Sequence, residues 1–485
     1  MDLDAYRAEA EAFASAIGRE YLLHLSGRQD ELAIEPIYER HAGLFAREAV
    51  EELRAAGSRP LLEFAVEGLI GRATKEEAAE LARREATLEV EVDGERLPYR
   101  QAAVALANEP DPDRRAALQQ ARLALGEERL DPLLRAALER SHALAAELGW
   151  PSMRAMCEEL SGIDLGVLGE ETAGFLEATE PAYEPLLEPH LRTQLGFGFE
   201  RLRRSDLPAF FRAPGLDAHF PAERLLEAFR ATFAGLGIEV REGGRVALDV
   251  EARPKKSPRA FCSPVRVPDE VHLVISPIGG HDDYEALFHE AGHAFHYAHV
   301  DPGLAFEHRY LGDNSVTEGF AFLAEHLVSD AQWLGRTLGV EAAGEIAAHA
   351  RARKLLFLRR YAAKLAYELE LHDAPPSLDA LREAYAQRLS AAVHVDWPAA
   401  SWLSDVDPFF YAARYLRAWA LETRLRRALR QRFGPAWFAE PEAGDLLRGL
   451  WAEGQRLGPE ELLAEATGEP PAPLGFAVMV DDLGL

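Results

Sequence analysis

Cysteine is nearly absent: Cys157 and Cys262 are the only two in 485 residues, too few for a disulfide framework. That excludes the small stapled folds of secreted proteins and makes a reducing cytoplasm the expected compartment. Lysine is scarce as well, at positions 75, 255, 256, 354 and 364, so arginine carries almost all the basic charge. Even so, acids outnumber bases and the formal net charge is −28. An excess of that sign excludes nucleic acid and anionic membrane surfaces as expected partners. No apolar run approaches the ~20 residues needed to cross a bilayer, which excludes a membrane-spanning helix. The first residues, Met1-Asp2-Leu3-Asp4-Ala5-Tyr6-Arg7, are acidic and amphipathic, unlike a secretory signal. There is no internal repeat, low-complexity tract or flexible linker, and nothing specifies an oligomeric state.

What is present is a 48% hydrophobic chain, enough for a large core in two packed subdomains. Residues 1–170 carry apolar positions at spacings of three and four, as in Leu61, Leu62, Phe64 and Ala65, and read as mostly helical. Within them, 87–99 alternates around Asp93-Gly94 and predicts a β-hairpin. Helical periodicity continues from about 163 to 237, broken at 205–211. Then 246–250 and 269–276 turn β-rich, joined through a connector at 253–264. A long helix is expected from Glu341 to His372, ended by Pro375-Pro376, and the chain is helical again after Arg417. The fold class is therefore mainly α with a small β element, and a boundary is expected near 170.

The stretch with chemistry in it is His289-Glu290-Ala291-Gly292-His293. Residues four apart on a helix share a face, so both imidazoles can reach one metal ion. Glu290 lies close enough to act on a water at that metal. Two neutral nitrogen ligands suit zinc, which needs a third protein ligand and an open position. Leu287, Phe288, Ala291, Ala294 and Phe295 around the motif predict a buried helix, where unpartnered His and Glu would be costly. Asp282 and Glu285, three apart, read as a capping box at its start.

Two sources could supply the third ligand. His299 lies six residues past His293, but reaching the metal would require the helix to turn, usually at a Gly where His296 stands. Glu318 opens a second apolar helix through Ser315-x-x-Glu318, after a loop holding Pro302, Gly303, Gly312 and Asp313. From its first turn a carboxylate can face the first helix antiparallel, which makes Glu318 the better candidate.

Taken together, HEAGHAFH, a Glu 25 residues after the second His and Glu325 seven further on resemble a known pattern. It is that of the thimet oligopeptidase / oligoendopeptidase F family of zinc metallopeptidases. The resemblance runs from about Asp206 to Trp419. It implies that His289, His293 and Glu318 bind zinc and that Glu290 is the general base. Glu325 would orient a histidine ligand, the alternative being a surface Glu on an amphipathic helix. His296 matches the last His of the motif and would support the site or face substrate. The implied architecture is a helical zincin with two helical subdomains flanking a deep cleft and a β-ribbon beside the metal helix. Residues 1–170 would wall the cleft and 171–485 would form the catalytic domain. The sheet before the metal helix would let an extended peptide add to an edge strand, or is a plain structural hairpin.

Further on, Tyr411 and Tyr415 are four apart and share a helical face. Neutral hydroxyls there could donate to the oxyanion of amide hydrolysis, as the family's Tyr-x-x-x-Tyr element implies, or simply pack in the core. Arg414 could bind a substrate carboxylate or pair with an acid. Lys255 and Lys256 could do the same or stay solvated, and His272 reads as structural. The family's His a dozen residues before the second tyrosine is missing: Trp402-Leu403-Ser404-Asp405 stands there. His394, Asp405, Asp407 or the tyrosines alone would have to take its part. The expected activity is zinc-dependent hydrolysis of internal bonds in short unfolded peptides. The alternatives are a carboxypeptidase or dipeptidyl carboxypeptidase, marked by Arg414 or Lys256 capturing a terminal carboxylate, and a catalytically silent peptide binder.

Overall fold

In chain order, the elements that position the site begin with α1 (Leu3–Leu25), β1 (Glu89–Val92), β2 (Glu95–Pro98) and α2 (Leu165–Leu195). They continue with β3 (Val246–Asp249), β4 (Phe261–Arg266), β5 (Glu270–Val274), α3 (His281–His299) and α4 (Ser315–His326). The last two are α5 (Ala343–Leu371) and α6 (Tyr411–Phe433). This computed structural model describes residues 1–373 and 377–485, so Pro375 and Pro376 lie outside the described residues. The fold is mainly α, with one two-stranded and one three-stranded sheet among the described residues. No helix there is long and apolar enough to cross a membrane.

The chain groups into two compact units built from discontinuous segments. One comprises Met1–Val66, Leu216–Ala348 and Arg414–Asp482, the other Glu67–Gly215, His349–Ala413 and Leu483–Leu485. Residue 170, where the sequence suggests a boundary, falls inside the 31-residue α2, within the second unit. That unit also holds the expected hairpin. Val92 pairs with Glu95, and the two-residue turn has φ of 53° at Asp93 and 81° at Gly94, the left-handed pair that a tight hairpin requires.

In the first unit, the sheet runs β3-β5-β4, parallel between β3 and β5 and antiparallel between β4 and β5. Strand β4 lies in the stretch expected to be only a connector. Its Cys262-Ser263-Pro264 gives no alternating pattern, and Pro264 is tolerated because β4 is an edge strand. Helix α1 covers it: the Ser263 hydroxyl donates to the Gly18 carbonyl (3.1 Å). Lys256 ties the sheet together. Its buried ammonium donates to the Asp249 carbonyl and Oδ1, the Glu251 carbonyl and the Ile275 carbonyl at 2.7–3.1 Å.

Helix α3 is buried along Tyr284, Leu287, Phe288, Ala291, Ala294, Phe295 and Ala298, as its periodicity predicts. Phe229 and Phe233 pack their rings on Phe288 and Phe295. The start of α3 differs from the expected capping box. Asp217 Oδ1 accepts the His281 N–H (3.1 Å), while Asp283 Oδ2 accepts those of Ile278 (2.6 Å) and Gly279 (2.7 Å). Ser315 likewise caps nothing; Asn314 is the cap residue of α4, and Asp313 accepts the Ser315 N–H (2.9 Å).

Helix α4 packs on α3 with almost no gap. A Cβ on Gly292 would lie 2.5 Å from both the Ala321 Cα and the Phe320 carbonyl oxygen, so only glycine permits this approach. Gly292→Ala should therefore destabilise the fold by about 1–3 kcal/mol through overpacking. Denaturant unfolding checks this, and a stability matching wild type would show that the helix pair can part without cost.

Candidate metal centre

The close helix pair brings three ligand atoms together. His289, His293 and Glu318 each offer one, all within 4.8 Å of one another. Glu318 Oε2 lies 3.5 Å from His289 Nε2 and 3.6 Å from His293 Nε2. Zinc bonds of about 2.0 Å at tetrahedral angles would space donor atoms about 3.3 Å apart, close to what is seen. Each ring is turned into place from behind. His289 Nδ1 donates to Glu325 Oε2 (2.7 Å), and His293 Nδ1 shares a hydrogen bond with the Thr317 hydroxyl (2.8 Å). Both Nε2 atoms face the Glu318 carboxylate, an arrangement that is favourable only with positive charge among them, carried by a ring proton or by a metal ion in its place.

The electrostatics agree. Burial would lower the His289 pKa, but hydrogen bonds and charge from Glu318 and Glu325 outweigh it and lift it to about 10. Burial would raise Glu318, yet the two histidines hold its carboxyl well below the usual carboxylate range. Positive charge belongs at this spot, and the donor set of two imidazoles and one carboxylate fits zinc. A second group, His281, Asp282 and Glu285, also brings ligand atoms together. It occupies one turn of α3, with His281 Nδ1 3.4 Å from Glu285 Oε2, as in a local ion pair.

Glu290 is held from the sheet. The Cys262 N–H points away from β5 and donates to Glu290 Oε2 (2.8 Å). This changes the expectation of a free edge. On that side of β4 the Cys262 donor is taken, and Pro264, two residues on, has none.

Other candidates find different partners. His299 continues α3, donates Nδ1–H to the Phe295 carbonyl (2.7 Å) and packs on Trp451, so it is no third ligand. His296 is fully buried: Nε2 donates to the Gly454 carbonyl (3.1 Å), and burial pushes its pKa down to about 3. Arg414 is buried against Glu63, which realises the paired alternative rather than carboxylate capture. Lys256 is spent on the sheet, as described above. His272 is structural, 3.3 Å from Glu270.

In the second unit, His394 bridges Glu184 (2.7 Å) and Glu180 (2.9 Å) of α2. Asp405 pairs with Arg360, and Asp407 with Lys364 (2.7 Å). Each of these three possible stand-ins for the missing histidine thus has a partner within its own unit. Tyr415 is half-buried and its ring lies 6.0 Å from Phe322, whose ring packs 5.3 Å from His289. Tyr411 opens α6 one turn earlier, in the second unit.

Thr317 is the supporting residue that sequence reasoning missed. Its neighbour Glu318 marked the place, but a threonine's partner is decided by tertiary contact.

Solved structures share this fold. One provisionally assigned as an oligoendopeptidase F, from Bacillus anthracis str. Ames, has a TM-score of 0.70 at 16% identity, covering 98% of this chain and 88% of that one. Another structure provisionally assigned as oligoendopeptidase F has 0.66 at 17%, with 98% and 90% covered. An inhibitor complex of PZ peptidase A has 0.64 at 17%, with 99% and 85% covered. At such identities the likeness establishes the fold alone. No family model matches the sequence, and no curated protein matches it.

Removing either support behind the rings should loosen the centre. Thr317→Val and Glu325→Leu are each expected to weaken zinc binding about 10- to 100-fold. Competition against a chromophoric chelator measures it; unchanged affinity in both variants would mean that packing alone orients the rings.

Proposed function

We propose that this chain is a zinc-dependent oligopeptidase of the thimet oligopeptidase / oligoendopeptidase F type, cutting internal bonds of short unfolded peptides. The observation that carries the proposal is the convergence of His289, His293 and Glu318 with Glu290 anchored beside them. The shared fold with structures named oligoendopeptidase F and PZ peptidase A supports it.

Bound at those three residues, zinc supplies Lewis acidity that polarises a carbonyl and makes water a stronger acid. The side chains carry the protons. Glu290 accepts one from the attacking water and passes it to the leaving amine. With Oε2 accepting the Cys262 N–H, that transfer is assigned to Oε1. Tyr415, and Tyr411 one turn before it, donate hydroxyl hydrogens to the developing oxyanion. Glu325 and Thr317 hold the rings throughout.

The choice between internal and terminal cleavage turns on where the cations are. A carboxypeptidase must hold the substrate's terminal carboxylate. Arg414 is buried against Glu63, and the Lys256 ammonium is saturated by four oxygens of its own sheet and loop. Neither is available, which favours the internal cut. Two free cysteines fit action in the reducing cytoplasm.

The test is a quenched nonapeptide with free and with amidated C-terminus, digested and read by mass spectrometry. Internal cuts should appear in both and vanish with chelator. Glu290→Gln should lower kcat/KM on the order of 10²- to 10⁴-fold. Stepwise loss from the free C-terminus alone would replace this reading with a carboxypeptidase. Absence of metal-dependent cleavage would replace it with a peptide binder.

A further inference from the structure

One face of α5 grips the segment that leads into α6. Arg360, Lys364, Glu368 and His372 follow at four-residue intervals, the last just past the helix end, and their partners follow in the same order. Arg360 pairs with Asp405, whose other oxygen accepts the Tyr385 hydroxyl (2.8 Å). Lys364 Nζ lies 2.7 Å from Asp407 Oδ2. Glu368 Oε1 accepts the Asp407 N–H (2.8 Å). The His372 ring meets Phe410 edge-on at 5.0 Å.

What is gripped is strained. Phe409 and Phe410 have φ of 51° and 53°, two successive left-handed residues with side chains, and Tyr411 starts α6 immediately after them. Non-glycine residues persist in that conformation only where their surroundings impose it. Here the surroundings are the α5 anchors on one side of the turn and the buried Phe410 ring on the other.

We propose that Glu368 is a positioning residue: with Lys364 it clamps Asp407, and so fixes the left-handed turn from which the tyrosine-bearing helix starts. The proposal rests on the reading of Tyr411 and Tyr415 given above, since the start of α6 sets the rotation of the helix that carries both.

Glu368 does this as a neutral acid. It is fully buried, and burial pushes its carboxyl up to about 8 against the pull of Lys364. Asp407 and Asp405 from the turn, Lys364 from its own helix and the Tyr367 hydroxyl are the charged and titratable groups acting on it. Its Oε2 has no hydrogen-bond partner among the described residues, a position far less costly protonated than charged. Below the shifted pKa, Lys364 has one carboxylate to neutralise, that of Asp407. Above it, two carboxylates share one ammonium and the clamp loosens.

The test places 4-fluorophenylalanine at Phe409 and follows its fluorine resonance with pH, beside peptide kinetics. In wild type the resonance should shift with a midpoint near the pH where Glu368 ionises, and kcat should fall along the same limb. Glu368→Gln keeps the acceptor and cannot ionise, so both transitions should disappear while kcat at pH 7 stays within about twofold. Glu368→Leu should lower kcat by about tenfold or more with KM and zinc content little changed. Adding Phe409→Gly, which adopts the turn without strain, should recover part of that loss. A fluorine titration that survives in Glu368→Gln, or an unchanged kcat in folded Glu368→Leu, would overturn the clamp. If wild type cleaves no peptide, the functional reading fails, and the fluorine titration still decides whether Glu368 holds the turn.

Discussion

The approach of α4 to α3 at Gly292 is the constraint on which the candidate centre depends. A side chain at that point would meet the backbone of Ala321 and Phe320, so the two helices sit as near as backbones allow. Because they do, a short carboxylate such as Glu318 reaches both imidazoles, and Glu325, two turns further along the same face of α4, reaches the back of one of them. Thr317, adjacent to the ligand, reaches the back of the other. A wider helix pair would need longer side chains at every one of these positions. The glycine inside the motif is thus as much a part of the centre as the histidines that flank it.

Burial then decides what each ionisable group can do. At the centre Glu318 and Glu325 both face His289, so the spot favours positive charge, borne by the ring's proton or by a metal ion in its place. Elsewhere the same scarcity of water forces cations and anions into closed pairs: Lys256 with Asp249, Arg414 with Glu63, Arg360 with Asp405. A buried charge that already has its partner is costly to separate from it. This is why residue types that recognise terminal carboxylates elsewhere do not imply such recognition here.

The parts legible in the sequence were those set by local geometry. Helical spacing put His289 and His293 on one face, apolar periodicity made α3 buried, and Asp93-Gly94 announced its hairpin. Glu318 was legible because it opens an apolar helix after a turn-rich loop. What escaped notice depends on contacts across the chain. Strand β4 lacks alternation and exists through its pairing with β5; Asp217 caps α3 from 64 residues away. Lys256 and Arg414 each had two chemically reasonable partners, and only the tertiary placement selects one; Thr317 takes its place behind His293 through tertiary contact alone. The two units interleave in sequence, an arrangement that only contacts between distant segments define.

Two kinds of precision are at work. The candidate metal centre is held by packing: backbone contact at Gly292 sets the spacing, and the short hydrogen bonds behind the rings do the fine alignment. The tyrosine helix is fixed by polar anchors on a strained turn, where Lys364, Glu368 and Asp407 act as one group. Packing is insensitive to proton concentration, whereas a buried carboxylic acid between an ammonium and a carboxylate is not. The consequence is a division of labour: backbone packing at Gly292 sets the spacing of the candidate ligands, while the turn that launches α6 answers to a single proton on Glu368.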